Sequence, residues 1–348
     1  MRFHFQYRRY RLPFRAPVRT AHGVWAERGG VILRVEGEGR GFGYGEAAPI
    51  PWFGTESVEE VEAACRELGE WVESEKLAAV PEKLGCLRNA IAAAMSEVGR
   101  VSDPHSNTPD LPGPVKDPPY RGVAALLPAG RAALAQIEAK ADTGFRVFKW
   151  KVGVGDSADE LGLLDDLCAK LPSGAKLRLD ANGAWDRRRA ERWLERCADR
   201  PVEFLEQPIA ADARGAQDLL LGLAEDYPTP IGLDESLVGE HDVERWLGLG
   251  WSGVFVVKPA LVADIDAALA RLAKAKARVV FSSALETAVG ARAALRVALA
   301  WTGEPLALGF GVWPLFADAR FDGPAAAPFV RAEDVERIQV DAAWNALS

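Results

Sequence analysis

Arg146-Val-Phe-Lys149-Trp-Lys151 is a short apolar run broken by two lysines, and its reading decides how the rest of the chain is read. Residues two apart on a strand share a face, so Lys149 and Lys151 point one way while Phe148, Trp150 and Val152 point the other. The aromatic face needs helices to cover it, which leaves the lysines facing the inside of a curled sheet. Four more apolar runs follow, each ending in a charge: Leu177-Arg-Leu-Asp180, Val202-Glu-Phe-Leu-Glu206, Ile231-Gly-Leu-Asp234 and Val254-Phe-Val-Val-Lys258. Their terminal charges lie 29, 26, 28 and 24 residues apart. A repeat that sets one charge at each strand's C-terminal end is what a β/α barrel with a site at its mouth requires.

Working outward, Gly122–Leu127 reads as the first barrel strand and Ala132–Ala141 as its helix, closed by Gly144. Ser157 followed by Glu160 has the form of a capping box opening the next helix. Further helices centre near Arg192, Leu219, Trp246, Leu269 and Ala294. Arg278–Phe281, ending in Ser282-Ser283, and Leu306–Leu308, ending in Gly309-Phe-Gly311, complete eight strands. Before the barrel, residues 1–100 read as an α+β capping domain. Phe3, Phe5 and Tyr7 alternate with polar neighbours as an edge strand does, and Val31–Val35 and Gly43–Glu46 continue a small antiparallel sheet. Ser57–Glu73 and Leu87–Val98 carry helical spacing. The glycines at 37, 39, 41 and 43 precede no long helix and lack the context of a dinucleotide loop. Residues 101–119, crowded with Pro, Asp, Ser and Asn, read as a linker. The barrel then occupies 120–320, and 321–348 form a tail returning toward the cap.

The 348 residues carry a net charge of −8, which argues against nucleic acid or an anionic membrane as partner. No run reaches the length of a membrane span and no secretory h-region follows the N-terminus, so a cytoplasmic protein is expected. Cys65, Cys86, Cys168 and Cys197 show neither CxxC nor metal-ligand spacing and read as free thiols. With four histidines and no His cluster, zinc is disfavoured, and a bound metal needs oxygen ligands, which points to Mg²⁺ or Mn²⁺.

Three carboxylates at consecutive strand ends, Asp180, Glu206 and Asp234, repel one another unless a cation lies among them. A divalent ion held by their oxygens meets that need, with Asn182 and Gln207 as outer or substrate contacts. Lys149 and Lys151 disfavour each other's protonation, and burial adds to the effect, so one of them suits a general base. Lys258 ends the sixth strand, across the barrel from that pair. A metal on a substrate carboxylate, with a lysine on either face of the α-carbon, suits removal of a weakly acidic α-proton.

These residues resemble the enolase superfamily, in particular its muconate-lactonizing subgroup, over nearly the whole chain. The matching motifs are KxK (Lys149, Lys151), DAN (Asp180–Asn182), EQP (Glu206–Pro208), DES (Asp234–Ser236) and KP (Lys258, Pro259). The resemblance implies an α/β fold, a modified TIM barrel (β/α)7β behind an N-terminal α+β cap. It implies Mg²⁺ on Asp180, Glu206 and Asp234, Lys151 as acid/base, and Lys258 as enediolate stabiliser or second base, a pattern known for enolase-superfamily sites. Ser282-Ser-Ala-Leu-Glu-Thr287 with Gly290, Gly45–Glu56 and Gly309-Phe-Gly311 are most similar to members that dehydrate a succinyl-hydroxy-cyclohexadiene carboxylate in quinone biosynthesis. Racemases of N-succinylamino acids and dipeptide epimerases are the rivals. The epimerases typically carry acids at the eighth strand end, where this chain has Leu308-Gly-Phe-Gly-Val-Trp313. A small carboxylate is the expected substrate, with Asn182, Ser282, Ser283, Trp25 and Trp52 as its contacts. Thr20–Trp25 and Pro51–Gly54 are expected to close over it.

Overall fold

The computed structural model describes residues 1–20, 23–101 and 120–347. The N-terminal part is a four-stranded antiparallel sheet of order β3-β2-β1-β4. Its strands are β1 (Arg2–Thr20), β2 (Gly23–Gly37), β3 (Gly41–Ala47) and β4 (Trp71–Glu73), with helices α1 (Val58–Leu68), α2 (Ser74–Ala78) and α3 (Gly85–Val101) beside it. Phe3 and Phe5 are buried as their alternation requires. β1 is not a free edge, because β4 pairs with its residues Arg2–His4. The expected helix Ser57–Glu73 accordingly ends early. A full capping box joins Ser57 to Glu60 at its start, while Gly69 at φ 79° turns the chain so that Trp71 enters β4. Gly43 and Gly45 bring β3 flush against α3, where a Cβ would run into the carbonyl oxygens of Ala94 and Ala90. The glycines serve sheet-on-helix packing.

The second part is a seven-stranded parallel sheet of order β12-β11-β10-β9-β8-β7-β6. The first expected strand is divided: β5 (Tyr120–Gly122) pairs with the late strand β13 (Phe329–Arg331), and only β6 (Ala125–Leu127) joins the parallel sheet. There follow α4 (Ala132–Asp142), β7 (Val147–Lys151), α5 (Ser157–Lys170), β8 (Lys176–Asp180), α6 (Arg187–Cys197), β9 (Val202–Glu206) and α7 (Ala216–Asp226). After them come β10 (Ile231–Leu233), α8 (Glu240–Gly248), β11 (Val254–Val257), α9 (Ile265–Lys274), β12 (Arg278–Phe281) and α10 (Ala288–Ala300). Short helices α11 (Ala332–Glu336) and α12 (Val340–Asn345) end the described chain. The expected box at Ser157 is replaced. Asp156 caps α5 at the amides of Ala158 (2.8 Å) and Asp159, and Glu160 turns back to accept from Gly153, Val154 and Gly155 (2.8–3.1 Å). Three unpaired amides in the preceding turn outcompete one serine.

The eighth strand is reduced to single bridges: Leu308 pairs in parallel with Val123, and Gly309 with Ser282. These two residues join the ends of the seven-stranded sheet and close the ring. Strand parity then sorts the core. Phe148, Trp150, Leu177, Leu179, Phe255, Val257 and Phe281 pack outward with the helices in one cluster, while Phe204, Val254, Val256 and Val280 form a separate cluster inside. Gly232 leaves room for that interior, since a Cβ there would meet the Phe204 ring at 3.0 Å. Buried Arg178 crosses the floor, donating to Glu203 (2.6 Å) and to the Ala307 carbonyl (2.7 Å).

Chain ends meet at the cap. Phe14 bridges Phe316, Arg15 donates to the Leu315 carbonyl (2.8 Å), and Arg8 donates to the Trp344 carbonyl (2.6 Å). Tyr44 of β3 donates to Asp341 of α12 (2.8 Å). Asn89 of α3 donates to the carbonyls of Pro259 and Val262, so the cap helix holds the turn just after Lys258. The region expected as a linker lies outside the described residues from 102 to 119. All four cysteines are free, and no helix among the described residues is long and apolar enough to cross a membrane.

Candidate active site

The register of the sheet aligns the strand ends: Lys151 pairs with Asp180, and Asp180 with Glu206. The carboxylate strands β8, β9 and β10 lie between the lysine strands β7 and β11. Asp180, Glu206, Asp234 and Lys258 are all buried at this mouth. Lys149 bridges Asp180 (2.8 Å) and Glu206 (2.7 Å), and Lys258 contacts Asp234.

The electrostatics separate the three lysines. Burial opposes the charge on Lys149, yet Asp180 and Glu206 overcome it and raise its pKa above the ordinary lysine value. Lys149 is therefore held as a cation by these two carboxylates. Lys151 is lowered, chiefly by burial and further by Lys149, against the pull of Asp180. Lys258 falls to about 8, again chiefly through burial. Between the carboxylates the division is similar. Burial opposes ionisation of Asp180, but Lys149 holds its pKa below the usual range, while burial and Asp180 together raise Glu206.

The acids are not gathered into a ready-made ligand cage: among the described residues no group of three or more His, Cys, Asp or Glu is so disposed. Instead each is turned onto an ammonium group. The donor set nevertheless fits a hard divalent cation, being three carboxylates on adjacent strand ends with charge that only cations balance. Two unpartnered buried oxygens nearby, Asn182 Oδ1 and Glu235 Oε2, mark the place as built for further polar contacts.

Backbone strain sits at the same points. Asn182 and Gln207, just beyond Asp180 and Glu206, have φ of 44° and 38°, a conformation that side-chain-bearing residues avoid. Gln207 holds the third strand end in place. Its amide nitrogen donates to Ser236 Oγ (2.7 Å) and the Ile209 carbonyl, and its oxygen accepts from the amides of Asp234 (3.0 Å) and Ser236 (3.1 Å). Asn182 donates to Glu235 (3.0 Å). Glu235 was not singled out in the sequence, because an acid one step past a strand end reads as solvated. Here burial, with Asp180 close by, raises it to about 7.

Ser282 Oγ lies 3.4 Å from the Gly309 carbonyl at the barrel seam, and Ser283 Oγ donates to Glu286 (3.0 Å). From the cap, Trp25 packs edge-on against Trp52 (4.7 Å) and Phe14 (5.3 Å). Phe53, next to Trp52, places its ring 4.8 Å from Lys258 Nζ, so this cap turn covers the mouth directly. Of the expected Thr20–Trp25 segment, Ala21 and His22 lie outside the described residues.

Comparison with known proteins places this geometry. Residues 132–335 match the family described as enolase C-terminal domain-like, and residues 1–95 match the MenC N-terminal domain. An o-succinylbenzoate synthase from Thermosynechococcus vestitus is 42% identical over 314 residues, covering 88% of this chain and 92% of the relative. The crystal structure of the o-succinylbenzoate synthase from Thermosynechococcus elongatus BP-1, complexed with Mg in its active site, superposes with a TM-score of 0.80 at 38% identity over 99% of each chain. The L-Ala-D/L-Glu epimerase of Bacillus subtilis shares the fold at a TM-score of 0.77 and 19% identity, over 94% of this chain and 95% of the epimerase.

Proposed function

The chain belongs to the enolase superfamily, and on that premise we propose that it is an o-succinylbenzoate synthase. The reaction is the syn dehydration of 2-succinyl-6-hydroxy-2,4-cyclohexadiene-1-carboxylate to 2-succinylbenzoate, on the cytoplasmic route to menaquinone or phylloquinone. The observation that carries the reading is the order of the strand ends, with three carboxylates between two lysines whose pKa values are both lowered. Similarity to the synthases over nearly the whole chain supports the choice of substrate.

A magnesium ion, with manganese as a substitute, would be held by Asp180, Glu206 and Asp234, and when bound it supplies positive charge to the substrate carboxylate. Lys151, as the free amine, takes the proton from the carbon α to that carboxylate, and the C–H electron pair moves toward the carboxyl oxygens. Lys258, on the opposite flank, keeps its proton and faces the negative charge that develops. The electron pair then returns to form the ring double bond as the C–O bond breaks. Lys151 gives its proton to the departing hydroxyl, water leaves, and the lysine is again neutral. One lysine acting twice requires proton and hydroxyl on the same face of the ring. Lys149 stays protonated throughout and keeps Asp180 and Glu206 in position. Asn182, Ser282 and Ser283 are proposed to contact the succinyl and carboxylate groups, with Trp25 and Trp52 walling the ring.

The test is the ultraviolet absorbance change on mixing the protein, Mg²⁺ and the cyclohexadiene substrate, with EDTA as control. Rapid, EDTA-sensitive formation of 2-succinylbenzoate is expected. Absence of product, with deuterium exchange at the α-carbon of an N-succinylamino acid, would replace this reading by racemisation. The segment Leu308-Gly-Phe-Gly311 offers no acid for a substrate ammonium, which disfavours a dipeptide.

A further inference from the structure

The loop after β12, Ser282–Thr287, is bound to the cap by two buried charged side chains that the chemistry does not use. Arg28 of β2 is 1% exposed and reaches across the junction. Its guanidinium donates to the barrel carbonyls of Leu285 (3.2 Å) and Ala284 (3.3 Å), and to the cap carbonyls of Pro49 (2.7 Å), Gly29 (3.0 Å) and Ala48. Glu46 of β3 lies at the start of α10. It accepts from the amides of Thr287 (2.9 Å) and Gly290 (2.8 Å), from the Thr287 hydroxyl, and from the cap's own Tyr10 hydroxyl (2.5 Å). The loop between these anchors is strained, with Leu285 at φ 58°. It is also internally tied, since Glu286 accepts from Ser283 Oγ and the Ala284 amide. The same guanidinium stands 5.1 Å over the Trp25 ring, so one side chain contacts both a cap aromatic at the mouth and the loop following β12.

We propose that Arg28 and Glu46 are positioning residues, a two-point clamp by which the cap sets the Ser282–Leu285 loop and Trp25 relative to the reacting lysines. The proposal rests on the synthase reading for its catalytic consequence, though not for the clamp itself. A guanidinium serving five carbonyls at two levels is not replaceable by an ammonium, which offers three donors from one point. A carboxylate accepting from a helix's first amides loses much of its hold when it becomes an amide.

The experiment compares wild type, Arg28→Lys and Glu46→Gln by amide hydrogen exchange and by steady-state kinetics. In the wild type, the amides of Ala284, Leu285, Thr287 and Gly290 should exchange slowly although three of them precede α10. Arg28→Lys should speed exchange at Ala284 and Leu285, and Glu46→Gln at Thr287 and Gly290, by about tenfold or more. With the cyclohexadiene substrate, each variant should raise KM about tenfold while kcat changes far less. A residue that merely stabilised the fold would lower the active fraction, reducing apparent kcat with KM unchanged. Fast wild-type exchange at these amides, or variants with wild-type exchange and wild-type KM, would overturn the clamp. Should either variant fail to fold, the other variant and the wild-type exchange still decide. If the wild type converts no substrate, the synthase reading fails, while the exchange data continue to judge the clamp.

Discussion

At the scale of single residues, the site works by giving chemically equal groups unequal environments. Lys149 and Lys151 are two positions apart on one strand, yet the first is fixed as a cation by two carboxylates and the second is pushed toward the free amine by burial. Lys151→Ala should therefore abolish turnover, by about 10³-fold or more, while circular dichroism and thermal melting stay near wild type. Lys149→Met should act differently. It leaves Asp180 and Glu206 buried without their cation, and a broken buried pair costs about 3–5 kcal/mol, visible as a lower Tm in EDTA. Added Mg²⁺ should recover much of that loss, and a Tm indifferent to the metal would contradict the ligand assignment. The placement of these residues at neighbouring strand ends was legible in the sequence as a repeat of apolar runs closed by charges. Which lysine is the fixed cation was not, because a two-residue spacing puts both on one face and says nothing of the neighbouring strand's register. Glu235, Arg28 and Glu46 were illegible for a related reason: an isolated charge in a sequence reads as solvated until the partner that buries it is known.

At the scale of elements, regular strand and helix came through clearly, and the departures fall where a local alternative won. The start of α5 is capped by Asp156 because Glu160 is drawn to three turn amides. Trp71–Glu73 left the expected helix for β4 once Gly69 allowed the reversal. The eighth strand shrank to two bridging residues, which apolar periodicity cannot distinguish from a full strand. Gly232 tests the interior packing: Gly232→Ala should cost about 1–3 kcal/mol through the collision with Phe204, and an unchanged Tm would mean that the interior is loosely filled. Glu286, in the loop before α10, is raised to about 7 chiefly by burial. A carboxyl whose folded pKa lies above its unfolded value near 4.5 destabilises the fold as pH rises between the two, and the penalty is complete above pH 7. Glu286→Gln should thus gain about 2–3 kcal/mol relative to wild type on going from pH 5 to pH 8, after subtraction of any constant cost of the lost contacts. Denaturant melts at the two pH values measure the difference, and a gain at pH 5 instead would reverse the sign of the argument.

At the scale of the whole molecule, the barrel carries the charged strand ends and the cap lies over them. Phe53 lies over Lys258 with the Trp25–Trp52 pair beside it, aromatic surface that suits the proposed ring substrate. Trp25→Ala and Trp52→Ala should each raise KM several-fold with a smaller effect on kcat, read in the same absorbance assay. Kinetics equal to wild type would show these rings to be packing alone. The cap is also joined to the far end of the chain, for β1 contacts residues 315, 316, 317 and 344. Synthesis delivers β1 together with its sheet partners β2 and β4, but these other partners come much later, Trp344 lying 336 residues after Arg8. The cap sheet can therefore pair early in synthesis, whereas this outer layer of contacts on β1 waits until residues 315–344 have emerged. Chains truncated shortly before residue 315 should keep the paired cap sheet but lack this seal on β1, and should depend on chaperones to an extent that chains reaching past residue 344 do not.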